Sequence, residues 1–244
     1  MNRVFLNGEY TPIMKLSIIV PVYNEKNTVE EILGKLSALA IDKEIIVVDD
    51  GSTDGTREII SNLKLQISQP HTGLKVIFHE KNLGKGGAIQ TGLKNSAGDV
   101  ICIQDADLEY DCNEIPRLFA RFADASISAV YGSRFLKPNP NIYRIFLMGN
   151  KFLTFLTNLL YGTSYTDTYT CYKLIKKDVF EKLKIKSFRY EMEAEISIKL
   201  HKLGCKVVEE PISYHPRRLE EGKKIGLKDA FKGVWTIIKY KFIN

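Results

Sequence analysis

LSIIVPVYNE (residues 16–25) and EIIVVDDGSTDGT (residues 44–56) decide the architecture. Each begins as a short run of aliphatic, largely β-branched residues and is then cut off by polar residues and turn formers. Runs of this length, without alternation, read as strands buried on both faces, here Leu16–Val20 and Glu44–Val48. Leu74–Phe78, Val100–Ile103 and Ile127–Tyr131 repeat the pattern. Between the first two, Val29, Ile32, Leu33 and Leu36 keep the spacing of one helical face. Thr56–Leu63, Gly86–Asn95 and Asn113–Phe122 read as further helices. Strand–helix alternation predicts a mostly parallel, doubly wound α/β sheet with right-handed crossovers, flanked by helices. Such a sheet binds ligands beyond the carboxyl ends of its strands.

The polar clusters fall at those ends. They are Pro21-Val22-Tyr23-Asn24-Glu25, Asp49-Asp50-Gly51-Ser52-Thr53-Asp54, Asn82-Leu83-Gly84-Lys85-Gly86-Gly87-Ala88 and Asp105-Ala106-Asp107. Any one alone is ordinary turn chemistry; four in this order, each closing a strand, point to a nucleotide. Asp105 and Asp107, two residues apart, suit a hard octahedral cation, Mg²⁺ or Mn²⁺, that also bridges phosphates, and Glu109 can add a third oxygen. Asp50 can accept from base N–H groups and Tyr23 can pack on the ring. The glycines of residues 84–87 let backbone approach the donor, and Lys85 adds charge there. The loop is neither a Walker loop nor the dinucleotide fingerprint.

The second half is less regular. It predicts a helix over residues 142–161, a strand near 169–175, a helix near 191–203, a strand over 206–214 and a final helix over 227–242. No linker or repeat divides the 244 residues, so residues 1–244 read as a single domain. A net charge of +6 and a pI near 9.0 favour anionic partners; aromatic–basic clusters of a nucleic-acid binder are missing. The four cysteines form no CxxC pair, which points to a reducing cytoplasm. No signal peptide is apparent, and no run reaches the roughly 18 apolar residues of a membrane span. The loop at residues 215–224 concentrates Arg217, Arg218, Lys223 and Lys224. The last helix sets Leu227, Ala230, Phe231, Val234, Ile237 and Ile238 on one side, a pattern shared by membrane-surface helices and by helices packed on a core.

The set PVYNE, DDGSTDGT, NLGKGGA and DAD resembles the family 2 glycosyltransferases of GT-A fold, and within them the dolichyl-phosphate mannose and glucose synthase branch. The likeness continues through residues 131–134 (YGSR), 166–173 (TDTYTCYK) and 220–224 (EEGKK). The resemblance implies a metal-dependent, inverting hexosyltransferase that uses a GDP- or UDP-sugar donor. Pro21, Tyr23, Glu25 and Asp50 would bind the nucleoside and Asp105 and Asp107 the metal. Glu109 stands where this branch often has Gln. Arg134 and a basic group near Lys224, with Arg217 in the same loop, would hold the acceptor phosphate, and Arg134 and Asp107 would carry the chemistry. The acceptor would be a polyprenyl phosphate, and the protein peripheral on the cytoplasmic face of a membrane. An anionic phosphate nucleophile needs no general base. The alternative, a sugar or other hydroxyl acceptor in cell-envelope polysaccharide or glycan synthesis, needs a carboxylate, with Asp167, Glu191 and Glu193 as candidates.

Overall fold

A computed structural model describes residues 3–6, 9–12, 14–66, 73–139, 144–217 and 227–243. After a two-stranded antiparallel hairpin, β1 (Arg3–Leu6) and β2 (Glu9–Pro12), the chain alternates as expected. It runs β3 (Leu16–Val22), α1 (Val29–Ala38), β4 (Lys43–Asp49), α2 (Thr56–Gln66), β5 (Gly73–Phe78), α3 (Lys85–Lys94) and β6 (Val100–Ile103). There follow α4 (Ile115–Ala120), β7 (Ala129–Ser133), α5 (Arg144–Tyr161), β8 (Lys173–Lys176), α6 (Lys177–Leu183), α7 (Met192–Lys202), β9 (Val207–Pro211) and α8 (Leu227–Phe242).

Seven strands form one sheet in the order β5-β4-β3-β6-β8-β7-β9. β8 is antiparallel to both neighbours and the other pairings are parallel. The aliphatic runs of β3, β4, β6 and β7 are buried, as their lack of alternation requires. β5 departs from expectation: it is an edge strand, and several of its side chains reach solvent. α1 buries Val29, Ile32, Leu33 and Leu36, the four residues whose spacing announced it. The helix expected over 113–122 is shorter, with 3₁₀ turns at 112–114 and 121–123 on either side of α4. The strand expected near 169–175 is only its last part, β8. The hairpin and α6 had no anticipating signal.

Register places the site. Val22 pairs with Asp49, and the Asp50 amide donates to the Val22 carbonyl at 2.7 Å, so β3 and β4 end level. Ile103 is the last β6 residue paired with β3, opposite Ile19. Asp105 therefore leaves the sheet two residues on, at the level of Pro21.

Candidate active site

The carboxyl ends of β3, β4 and β6 open on a cavity of about 950 Å³. Its other walls are Arg134, the N-terminal parts of α5 and α8, the start of α7, and the segment around Tyr214–Arg217. Pro21, Tyr23, Glu25, Asp50, Lys85, Asp105, Asp107, Glu109, Arg134 and Arg217 all line it. Lys224 lies outside the described residues.

The first two polar clusters are stitched together. Asn24, at φ 52°, donates its amide to Ser52 Oγ (2.9 Å), and its side-chain oxygen accepts from the Thr53 amide (2.9 Å). Asp49, wholly buried, takes both Arg57 nitrogens Nε (3.0 Å) and Nη2 (2.7 Å). Asp50 braces the loop after β5. Its Oδ1 accepts from the Leu83 amide (2.8 Å) and lies 2.8 Å from His79 Nδ1, and its Oδ2 accepts from the Gly84 amide (2.7 Å). The carboxylate thus spends most of its acceptor capacity on its own backbone, so the simple expectation of a free acceptor for the base is modified.

The glycines of residues 84–87 also need a different account. A Cβ on Gly84 would stand 2.3 Å from the Phe188 carbonyl oxygen, and one on Gly86 2.4 Å from that of Ser187. Gly84 sits at φ 88°, and the Gly86 amide donates to Phe188 O at 2.8 Å. Glycine is required here because the segment before α7 presses on the loop. That contact explains both glycines without a ligand.

Lys85, the first residue of α3, points at Asp105 (2.8 Å) and Glu193 (3.3 Å). Burial alone would lower its pKa, but Asp105 and Glu193 outweigh this and hold it well above the usual lysine value. Glu193 is in turn 2.5 Å from Lys173, which is fully buried and also donates to the carbonyls of Thr168 (3.0 Å) and Thr170 (2.6 Å). Asp107 Oδ1 accepts from the Glu109 amide (3.1 Å), across Leu108 at φ 61°. Its Oδ2 lies 3.3 Å from Arg217 Nη2, which also reaches Glu25 Oε1 at 2.8 Å.

Glu109 does not join this pair. Its two oxygens accept from Tyr214 Oη (2.7 Å) and from the Arg217 amide (2.9 Å), so it anchors the segment after β9. Among the described residues no three acidic, histidine or cysteine side chains are grouped to hold a metal. The donor set that remains, Asp105 and Asp107, still fits Mg²⁺ or Mn²⁺. Both are hard oxygen donors with side chains about one-fifth exposed to the cavity. Mg²⁺ takes one or two carboxylates and completes its shell with water and phosphate.

Arg134 is clamped by Asp167 through Nε–Oδ2 (2.7 Å) and Nη2–Oδ1 (2.8 Å) and lies over the Tyr214 ring. Burial would lower the guanidinium pKa, but Asp167 keeps it well above its ordinary value. Asp167, expected as a possible base, is thus a buried counter-ion, and so is Glu193. Among the described residues, Glu191 Oε2 and Glu193 Oε1 are both buried with no hydrogen-bond partner, the latter 3.3 Å from Lys85 Nζ. The partners Lys173, Tyr214 and Tyr190 were not anticipated. Burial pushes the Tyr190 hydroxyl up to about 12. A lysine buried inside an apolar strand, KLIK, is the signal that would have found the first.

The profile of glycosyl transferase family 2 matches residues 17–184. The chain belongs to glycosyl transferase family 2. The family 2 chain is 30% identical, over 93% of its length, to a dolichol-phosphate mannosyltransferase of Pyrococcus furiosus. It is 26% identical, over its full length, to a low-salt glycan biosynthesis hexosyltransferase of Haloferax volcanii. It spans 65% and 57% of the length of these two relatives. Among solved structures it resembles glucosyl-3-phosphoglycerate synthase of Mycobacterium tuberculosis in complex with Mn²⁺, UDP and phosphoglyceric acid. The TM-score is 0.69 at 20% identity, over 95% of this chain and 80% of that one. The fold of this glycosyltransferase is therefore GT-A.

Proposed function

We propose that this glycosyltransferase moves a hexose, with inversion, from a GDP- or UDP-sugar to a polyprenyl phosphate at a membrane surface, using Mg²⁺ or Mn²⁺ held by Asp105 and Asp107. The observation that carries the reading is the meeting of Asp105 and Asp107 with Lys85 and Arg217 in one cavity, beyond the carboxyl end of the sheet. A metal bound there supplies positive charge opposite the diphosphate as it departs. Lys85 and Arg217, whose charges now rest on Asp105, Asp107 and Glu25, face the phosphates. Tyr23 packs against the base, and Asp50 holds the loop that borders it.

An acceptor phosphate oxygen forms the new bond to the anomeric carbon while the bond to the diphosphate oxygen breaks. The nucleoside diphosphate leaves with the electron pair. No proton moves, because the acceptor is already an anion near neutral pH. Positioning and charge neutralisation are then the whole of catalysis. Asp167 is spent through both oxygens in a buried ion pair, which supports an acceptor that needs no base. The Pyrococcus relative's name points the same way. Arg134, held in orientation by Asp167, presents its edge to the acceptor phosphate from the far wall.

A second reading, transfer to a hydroxyl with Glu191 or Glu193 as base, is favoured by the unpartnered oxygen on each, by the place of Glu193 on the cavity and by the Haloferax relative. A screen of UDP- and GDP-sugars against polyprenyl phosphate and against free glycan acceptors, with and without EDTA, separates the two. Lipid-linked product that disappears in EDTA is expected. Transfer to hydroxyls alone, abolished by Glu191→Gln or by Glu193→Gln, would put the second reading in its place, and full activity in EDTA would remove the metal assignment.

A further inference from the structure

The two long helices of the C-terminal half carry apolar residues where a helix packed on a core has none. On α5, Met148, Phe152, Phe155 and Leu159 point to solvent; on α8, Phe231, Trp235, Ile238 and Phe242 do. Both sets follow the same spacing, i, i+4, i+7, i+11, which is one stripe along a helix. The exposures are large: 70% for Met148, 65% for Leu159, 66% for Trp235 and 84% for Phe242. The opposite side of each helix is already used. Leu153, Ile237 and Tyr240 are buried in a cluster with Ala194 and Ile198 of α7. Of the apolar set that sequence periodicity put on one side of α8, Ile237 is buried in this cluster, whereas Phe231 and Ile238 belong to the outward stripe.

The helices lie side by side and run parallel. Gly233 faces Leu153, Tyr161 Oη donates to the Ile237 carbonyl at 2.8 Å, and Lys241 Nζ donates to the Leu160 carbonyl at 2.6 Å. With both packed on α7, the two outward stripes form one apolar platform. Exposed lysines surround it: Lys151 on α5, and Lys228, Lys232, Lys239 and Lys241 on α8. Asp229 is the one acidic residue in either helix. The platform also adjoins the active site, because Gly149, Asn150 and Leu153 of α5 and Asp229 and Ala230 of α8 line the cavity. No helix among the described residues is long and apolar enough to cross a membrane.

We infer that the α5–α8 platform is a docking surface for the interface of an anionic lipid bilayer, with the outward aromatic stripes sunk among the headgroups and the lysine collar on lipid phosphates. A contiguous exposed apolar patch marks a partner. Aromatic and aliphatic side chains ringed by lysine fit a negatively charged interface, which rewards both features. The inference rests on the lipid-phosphate reading only for its purpose: the platform holds the cavity mouth at the level where the head group of a membrane-embedded acceptor emerges.

Trp235 is the single tryptophan of the chain and reports directly. With vesicles of phosphatidylcholine and phosphatidylglycerol, its emission should shift to the blue and be quenched by lipids brominated on the acyl chain. Flotation with the same vesicles should bind the protein, and the binding should weaken with salt. Phe152→Ser and Trp235→Ser should each lower vesicle affinity about tenfold, the loss of one aromatic from an apolar environment, with unchanged circular dichroism. Neither residue lines the cavity, so turnover of a water-soluble, short-chain isoprenyl phosphate should persist in both variants. No flotation on anionic vesicles, with that turnover intact, overturns the platform and leaves the proposed reaction standing. Flotation with no transfer to any isoprenyl phosphate supports the platform and overturns the acceptor. A stable dimer in solution that both variants dissociate assigns the face to a second copy instead and also overturns the inference.

Discussion

The wall of the cavity built by β3, β4 and β6 and the wall built by Arg134, α5, α7 and α8 treat charge in different ways. On the first, Asp105 and Asp107 are partly open to the cavity, and their cationic neighbours, Lys85 and Arg217, also line it. On the second, the pairs Arg134–Asp167 and Lys173–Glu193 are sealed from solvent or nearly so. An open pair can be exchanged for a ligand at small cost, whereas a sealed pair cannot lose one member without leaving a buried, uncompensated charge. The first wall therefore carries charges that can be exchanged for a ligand, whereas on the second the sealed pairs hold shape and fix the orientation of Arg134.

The largest effects should fall on the second wall and appear as lost stability. Arg134→Ala and Asp167→Ala should each cost about 3–5 kcal/mol, and the double variant less than their sum, because it removes both charges. Urea unfolding of the four proteins measures this. Additive losses would show that the pair is not coupled and would break the comparison. It follows that weaker acceptor use by Arg134→Ala alone cannot be read as a lost phosphate contact; Arg134→Lys, which keeps the charge, is the better kinetic probe.

On the first wall the loss should be of turnover. Asp105→Asn or Asp107→Asn should reduce kcat by about 10²–10³, the effect of losing one charge-stabilising group at a leaving group, while the unfolding midpoint hardly moves. A variant that keeps full activity, or that unfolds as readily as Arg134→Ala, contradicts the assignment of this wall to chemistry.

Asp50 lies between the two cases, buried yet bordering the cavity. Asp50→Ala strands the Leu83 and Gly84 amides and should weaken nucleoside diphosphate binding by about 1–3 kcal/mol, as titration calorimetry would record. Unchanged affinity means that the loop keeps its shape without the carboxylate. The smallest effect is expected for Glu109→Gln, which retains an acceptor for Tyr214 or the Arg217 amide. Mn²⁺ affinity, read by electron paramagnetic resonance in the presence of UDP, should change by less than about 1 kcal/mol, the usual range for a change that leaves a neutral hydrogen bond in place. A loss as large as that of Asp107→Asn would return Glu109 to the metal.

Sequence and structure agree best where burial is complete on both faces. β3, β4 and β6 each carry an apolar run, at residues 18–22, 45–48 and 100–103, so the first polar residue after each run marks where the strand leaves the core. That is also where ligands bind such sheets, and the ten expected nucleotide, metal and acceptor-phosphate residues that can be placed lie on one cavity, while the candidate bases Asp167 and Glu191 do not line it. Legibility fails for the glycines of the loop after β5, where the crowding comes from Phe188, about a hundred residues away. It fails again for α8, because both of its faces are apolar and spacing alone merges exposed Phe231 and Ile238 with buried Ile237. Arg217 shows the same limit: it bonds to Glu25 across 192 residues, a distance over which no local pattern acts.

What the sequence determined by itself is the α/β class, the parallel core of the sheet, the four polar clusters at its carboxyl edge and membership of a glycosyltransferase family. These follow from local burial period and from residue types that recur for one chemistry. What only the tertiary structure decided is which charges are spent and which face a ligand. Asp167 reads as a candidate base in the sequence and has Arg134 against both its oxygens; Glu193 has Lys173 on one oxygen only; Glu109 reads as a candidate ligand and has Tyr214 and the Arg217 amide on its oxygens. A carboxylate's role is set by its nearest opposite charge and its access to solvent, and both are properties of packing between distant segments.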